Sequence, residues 1–271
     1  MTEETQLPAG TFDWWCAVEA HTGAEEPPEL DELPGETEVE RVLAAVAVEE
    51  VGYRLRRAHE HLDAIDVDSL DGGARPVARL LRLRLSLRES ETSVVAETED
   101  LIAVLGSDQL ATRARSRHLL GQALIRQNDF GGALAAFVEA LEEVGEAPAH
   151  NWILDGIVQI YLGLGAWTEG RRTLQAVLER KEALGDALGV VISIGHLAMM
   201  ETSLGKPRAG LIALDGVWER FADGLSDLSR LRLRTYQLYS ALGAHGDGDC
   251  QPEEIDRRAA DLDCELDRTR D

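Results

Sequence analysis

Lysine is almost missing from this 271-residue chain: Lys181 and Lys206 stand beside 25 arginines. Cysteine is scarce too. Cys16, Cys250 and Cys264 form no CxxC pair and are too few and too scattered for a disulfide framework, which fits a reducing cytoplasm. Aromatic residues make up 5% of the chain and β-branched residues rarely cluster, which removes the usual material of sheets. No apolar run reaches the roughly 20 residues of a membrane span. The longest, residues 187–200, is interrupted by His196. The opening MTEETQLPAG has neither the basic nor the apolar region of a signal peptide, so a soluble cytoplasmic protein is expected. Also missing are a GxxxxGK[ST] phosphate loop, a GxSxG nucleophile elbow and an HExxH metal motif. His59 and His61 lie two apart, which on a helix turns them about 200° away from each other. The expectation is therefore a protein that is not an enzyme, with no catalytic residues, no metal ligands and no cofactor. A hydrolase built on the plentiful carboxylates is the least favoured alternative, because solvated faces do not separate their pKa values.

Positive charge is absent from the first 40 residues, which hold 12 acidic residues and no Lys or Arg. Residues 246–271 hold ten acidic residues against four arginines. Of the net charge of −23, the two ends carry −12 and −6, so the middle is close to balanced. Such a surface repels polyanions, since nucleic-acid affinity comes largely from Lys and Arg displacing counterions at phosphates. Nucleic acid and membrane are both set aside as partners.

What is present is helical periodicity. From Glu36 onward apolar residues recur at three- and four-residue intervals between short breaks. The pattern predicts twelve helices, at about 38–51, 53–66, 75–90, 93–105, 109–127, 130–145, 149–164, 167–184, 187–204, 207–222, 225–242 and 252–268, falling into six antiparallel pairs. Residues 81–87 argue back, because leucine alternates there with Arg or Ser in a strand-like period of two. A lone strand would have no partner, so helix is favoured. Residues 1–36 read as an acidic, proline-containing extension, with Pro8, Pro27, Pro28 and Pro34 as breakers. Within it Phe12, Trp14 and Trp15 form an aromatic patch long enough for a helical turn or two. Two roles are open for that patch: packing back over the first hairpin, or docking a partner. The final helix carries a narrow stripe of Ile255, Leu262 and Leu266 among charges, as a capping helix or an acidic decoy surface would.

Three passages repeat: Arg126-Gln127-Asn128-Asp129-Phe130-Gly131-Gly132-Ala133, Gly163-Leu164-Gly165-Ala166-Trp167-Thr168-Glu169-Gly170 and Ser203-Leu204-Gly205-Lys206-Pro207-Arg208-Ala209-Gly210. Around the first, Leu120, Gly121, Leu124, Phe130, Ala133, Phe137 and Ala140 alternate large and small. Around the second come Leu154, Ile157, Val158, Tyr161, Trp167, Gly170, Leu174 and Val177. A third set, Ile194, Leu197, Ala198, Gly210 and Leu214, follows the same order, with Glu201 where an apolar residue belongs. This pattern resembles the tetratricopeptide repeat, a helical hairpin of about 34 residues. The resemblance is most specific over residues 114–221 and faint over 39–105, where Arg84 stands at a position that should be small. It implies an all-α, right-handed solenoid of about six hairpins over residues 37–271.

The resemblance further implies that the first helix of each pair lines a concave groove. Carried over, the groove residues are Arg115, His118, Gln122, Ile125 and Arg126, then Trp152, Asp155, Gln159 and Leu162, then Ile192, Met199, Thr202 and Ser203. Arg115 and Arg126 would project from nearly one face about 16 Å apart, a spacing that could bracket an acidic stretch of ligand. The expected function is a protein–protein interaction module, an adaptor or regulatory subunit that binds a peptide segment of a partner and is itself a monomer or weak oligomer. The alternative is a sensory regulator whose groove takes a small signalling peptide or molecule.

Overall fold

The computed structural model describes residues 8–21, 28–52, 54–70, 72–89, 94–144, 150–184, 186–225 and 227–268. Among these residues every regular element is helical. In chain order they are α1 (Phe12–Ala20), α2 (Glu38–Val51), α3 (Leu55–Asp63), α4 (Ala74–Arg88), α5 (Val94–Val104), α6 (Leu110–Arg126), α7 (Phe130–Val144), α8 (His150–Leu164), α9 (Trp167–Leu184), α10 (Ala187–Ser203), α11 (Pro207–Phe221), α12 (Asp227–Gly246) and α13 (Pro252–Arg268). The twelve expected helices are all present, with ends moved by a few residues. The aromatic patch adds a thirteenth, α1. The chain divides into two compact units, residues 1–160 and 161–271.

Helix starts follow their capping chemistry. Thr11 caps α1 by accepting from the Trp14 N–H. Thr37 and Glu40 form a reciprocal capping box on α2, and Pro207 occupies the first turn of α11. The Glu40 carboxylate also receives the N–H groups of Ala9 (2.8 Å) and Glu36 (2.8 Å), which ties the segment before α1 to α2. Burial alone would raise its pKa, but the backbone donors from Ala9, Thr37 and Glu36 hold it below the usual value.

The helix stops repeat one device. Asn128, Gly165 and Gly205, which occupy the same place in the three aligned passages, have φ of 62°, 67° and 73°. In each case the residue after it donates to the carbonyl five positions back: Asp129 to Leu124, Ala166 to Tyr161 and Lys206 to Glu201. The left-handed residue itself bonds the carbonyl three back. This is the Schellman stop, which satisfies carbonyls that the last turn would leave bare. A fourth copy ends α12, where Gly248 has φ of 82° and Asp249 donates to Ala244. The sequence alignment misses that copy because Cys250 stands where Phe130, Trp167 and Pro207 stand in the others.

In the first unit α4 lies against α2, α3, α5 and α6. That placement resolves the strand-like alternation: Leu81, Leu83, Leu85 and Leu87 are all buried because the helix has neighbours on several sides. The hairpin of α6 and α7 closes over Phe137, whose ring fills the space in front of Gly121 and Gly156. A Cβ at either glycine would come within 2.6 Å or 2.4 Å of that ring, so the small residues are required by the close approach. In the second unit α10 packs on α9, α11 and α12 around Val190, Val191, Ala198, Leu214 and Leu233. Helix α13 packs on α12, and part of its charge turns inward: Arg258, 5% exposed, makes two 2.9 Å bonds to Asp215, and buried Glu265 takes Arg230 at 3.3 Å.

Gly205 isolates the conformational part of the Schellman stop, because a Cβ there meets nothing within 4 Å. Gly205→Ala should lower unfolding stability by about 1–2 kcal/mol, the cost of a left-handed L-residue. Denaturant titration checks this, and an unchanged midpoint would show that the turn relaxes freely.

Candidate functional site

Helix α6 carries Arg115, His118, Gln122 and Arg126 at three- and four-residue steps, which sets them along one face. Its opposite face carries Arg113 and Arg117, paired across the hairpin with Glu143 and Glu139. A shallow surface groove of about 640 Å³ lies on that opposite side, lined by Leu110, Arg113, Arg117, Glu139, Glu142 and Glu143. Its arginines are already matched by carboxylates. The expected face is the more demanding one.

There Arg115 is held on three sides. Its guanidinium carbon lies 4.1 Å from the Trp15 ring centroid and 4.9 Å from that of Trp152, and it pairs with the Glu19 carboxylate. Only 11% of its side chain is exposed. Cation–π contacts of this kind strengthen as water is removed. Trp15 and Glu19 come from α1, Arg115 from α6 and Trp152 from α8. The expected groove residue Arg115 is thus present on this face, but the acid it holds is the chain's own.

His118 sits beside this clamp, edge-on to Trp152 at 4.6 Å and tilted against Phe137 at 5.5 Å. Part of the residue's surface still meets solvent. Even so, desolvation, followed by the nearby charges of Arg84, Arg115 and Arg88, lowers its pKa from 6.5 to about 3. The ring is neutral at ordinary pH. Gln122 and Gln159 are half-buried, and among the described residues neither side chain has a hydrogen-bond partner. Asp155 is half-buried, and Arg126 is exposed and donates to the Leu87 carbonyl, joining the ends of α6 and α4. Met199 lies half-buried on α10 of the second unit, where Thr202 bonds the Ala198 carbonyl at 2.8 Å.

Several charged residues of the site are not among those the repeat pattern pointed to. Glu50 at the end of α2 is 1% exposed and accepts from Arg88 at 2.6 Å and from Arg84. Its neighbour Glu49, equally buried, takes Arg57 at 3.2 Å and Arg54. Breaking a buried pair of this kind typically costs about 3–5 kcal/mol, because the remaining charge is stranded. A signal existed: two glutamates close an otherwise apolar run, and Arg84 stands where a small residue belongs. Arg84 also lies within electrostatic reach of Arg115, Arg88 and Glu19, so the buried carboxylate and the aromatic clamp form one continuous set of charges.

The aromatic patch faces inward. Trp14 and Trp15 are 0% and 2% exposed, packed edge to face at 4.7 Å, and the Trp14 indole N–H donates to the Pro34 carbonyl at 3.1 Å. Phe12 is half-buried. They belong to one buried apolar cluster with Leu43, Val77, Leu81 and Leu119, from α2, α4 and α6. Thr112 reaches the Gly10 carbonyl at 3.3 Å and fixes the segment before the helix.

No family model and no curated protein matches the chain. The likeness to tetratricopeptide repeats therefore rests on the residues themselves. Chemically, the assembled groups suit recognition. Arginine stays protonated, His118 stays neutral, and indole faces hold rings and cations without moving a proton.

The shift at His118 has a definite sign. Below pH 6.5 the unfolded chain takes up a proton that the folded ring refuses until about pH 3, so stability present above pH 6.5 is lost as pH falls through that window. His118→Gln should make the melting temperature fall less between pH 6.5 and 4.5 than it does in the native chain. An identical slope would mean that the ring is accessible to protons in the fold.

Proposed function

We propose that the chain is a protein–protein interaction module, an adaptor or regulatory subunit, that holds a peptide segment of a partner against the face built from α2, α4, α6 and α8. Its helix pairs are read as tetratricopeptide-like hairpins in a right-handed solenoid, acting in the cytoplasm. One observation carries the reading: this face already holds a length of polypeptide. Segment 8–20 lies against α2, α4 and α6, and it is held by an arginine that engages one of its rings and its carboxylate together.

The chemistry of the face supports the same conclusion. Half-buried Gln122 and Gln159 offer amides that can bond a peptide backbone in both directions. Arg115, Trp15 and Trp152 supply the arginine and aromatic anchors on which interface energy concentrates. A metabolite site would call for an enclosed cavity with a few convergent polar groups. The groups gathered here are spread along helices instead, as an extended ligand requires.

The test leaves the Arg115 clamp intact and changes the neighbouring positions on the same face. A polypeptide captured by the full chain from its native host should lose at least about tenfold in affinity when Gln122→Arg is combined with Arg126→Glu. The helical signal should stay unchanged. Capture that ignores this pair of substitutions would move the binding surface elsewhere.

A further inference from the structure

We propose that α1 is a displaceable occupant of this face, and that the partner it stands in for is a short amphipathic helix bearing an adjacent aromatic pair and a carboxylate four residues after the second ring. The inference rests on the reading of the face as a polypeptide-binding surface and adds the chemistry of what binds and how access is controlled.

The pattern is written in α1 itself. Trp14 and Val18 are four apart and share one strip of the helix, while Trp15 and Glu19, also four apart, share the next. Trp14, Trp15 and Val18 are buried, and Glu19 reaches Arg115. Every one of these contacts is made by side chains and could be supplied by another helix of the same pattern. Charge favours such a ligand: Arg84, Arg88 and Arg115 all lie close together here in a chain whose net charge is −23.

Two features make α1 an occupant rather than a foundation. It has nine residues, below the length of about 12–15 at which an isolated helix becomes even marginal, so its order depends on what it touches. Its fit also leaves groups unused. The indole N–H of Trp15, buried under Arg115, has no acceptor, and neither does that of Trp152 on the other side of the same guanidinium. Buried donors are normally matched, and an unmatched one is a standing cost of the arrangement that contains it. A partner helix that displaces Trp15, or brings an acceptor to Trp152, gains what α1 forgoes. Until then α1, tethered at an effective concentration in the millimolar range, keeps weaker ligands off. The Arg115–Glu19 pair is the latch.

The experiment uses the full chain and a labelled synthetic peptide copying residues 8–21. In the chain, Glu19→Arg sets two cations against each other and frees α1. The labelled peptide should bind this variant at least about tenfold more tightly than the native chain, and a peptide carrying its own Glu19→Arg should lose at least about tenfold on the variant. Equal binding to both chains, or binding indifferent to the peptide's glutamate, overturns the proposal. So does a Glu19→Arg chain without cooperative melting, since α1 would then be a fixed part of the core. A failure here with the Gln122 and Arg126 dependence of capture intact removes the occupant and leaves the binding face standing. The converse pair of results removes the partner and leaves the exchange.

Discussion

A guanidinium withdrawn from water has to be compensated from all sides, and Arg115 meets that demand by drawing together elements far apart in the chain. Trp15 and Glu19 of the first helix come to it from one direction and Trp152 of the eighth from another. Below it, the Glu50 carboxylate with Arg84 and Arg88 imposes the same requirement on α2 and α4. Apolar packing alone would let such helices slide, because leucine surfaces are forgiving about register. Buried charges are not forgiving, and a misplaced one costs several kcal/mol. Two linked sets of ions thus fix which faces of α2, α4, α6 and α8 converge to form the surface to which a binding role is ascribed, and α1 completes the compensation of Arg115 from a position that another helix of its pattern could take.

The same constraint explains the uneven charge of the chain. The arginines of the first unit sit largely in cross-helix pairs, as with Arg113 and Arg117 on Glu143, or Arg54 and Arg57 on Glu49. Planar, forked guanidinium groups suit such pairing better than lysine ammonium groups, which fits a chain with only two lysines. In the second unit α13 follows the same rule. Arg258 of α13 reaches Asp215 of α11 and Glu265 takes Arg230 of α12, so ions help to seat a helix that looked from its sequence like a thin apolar stripe.

Helix positions were legible in the sequence because a three- and four-residue period survives in nearly every segment. The turns were legible too: Asn128, Gly165 and Gly205 align, and all three adopt the left-handed conformation that only such residues reach cheaply. The fourth turn, at Gly248, was hidden by the lack of a bulky residue two places on. The course of α1 was harder to read. Proline-containing acidic flanks suggested an extension, and the aromatic patch stood open between packing back and docking a partner. The repeat register pointed to Arg115, His118 and Trp152, which the fold brings together. Glu19, Glu50, Arg84 and Arg88 were not, because long-range charge pairing leaves no local period to detect. Pairs separated by 34, 38 and 96 residues are found only when the chain is folded.

The central claim is that α1 rests on a surface it can leave, and native-state hydrogen exchange of the intact chain measures that directly. Amides of Trp15, Val18 and Glu19 should exchange through a local opening far smaller than global unfolding, while those of Leu119 and Ala123 in the middle of α6 exchange only with the whole unit. Protection of α1 equal to that of α6, under all conditions where the chain is folded, would contradict the account and make the first helix part of a permanent core.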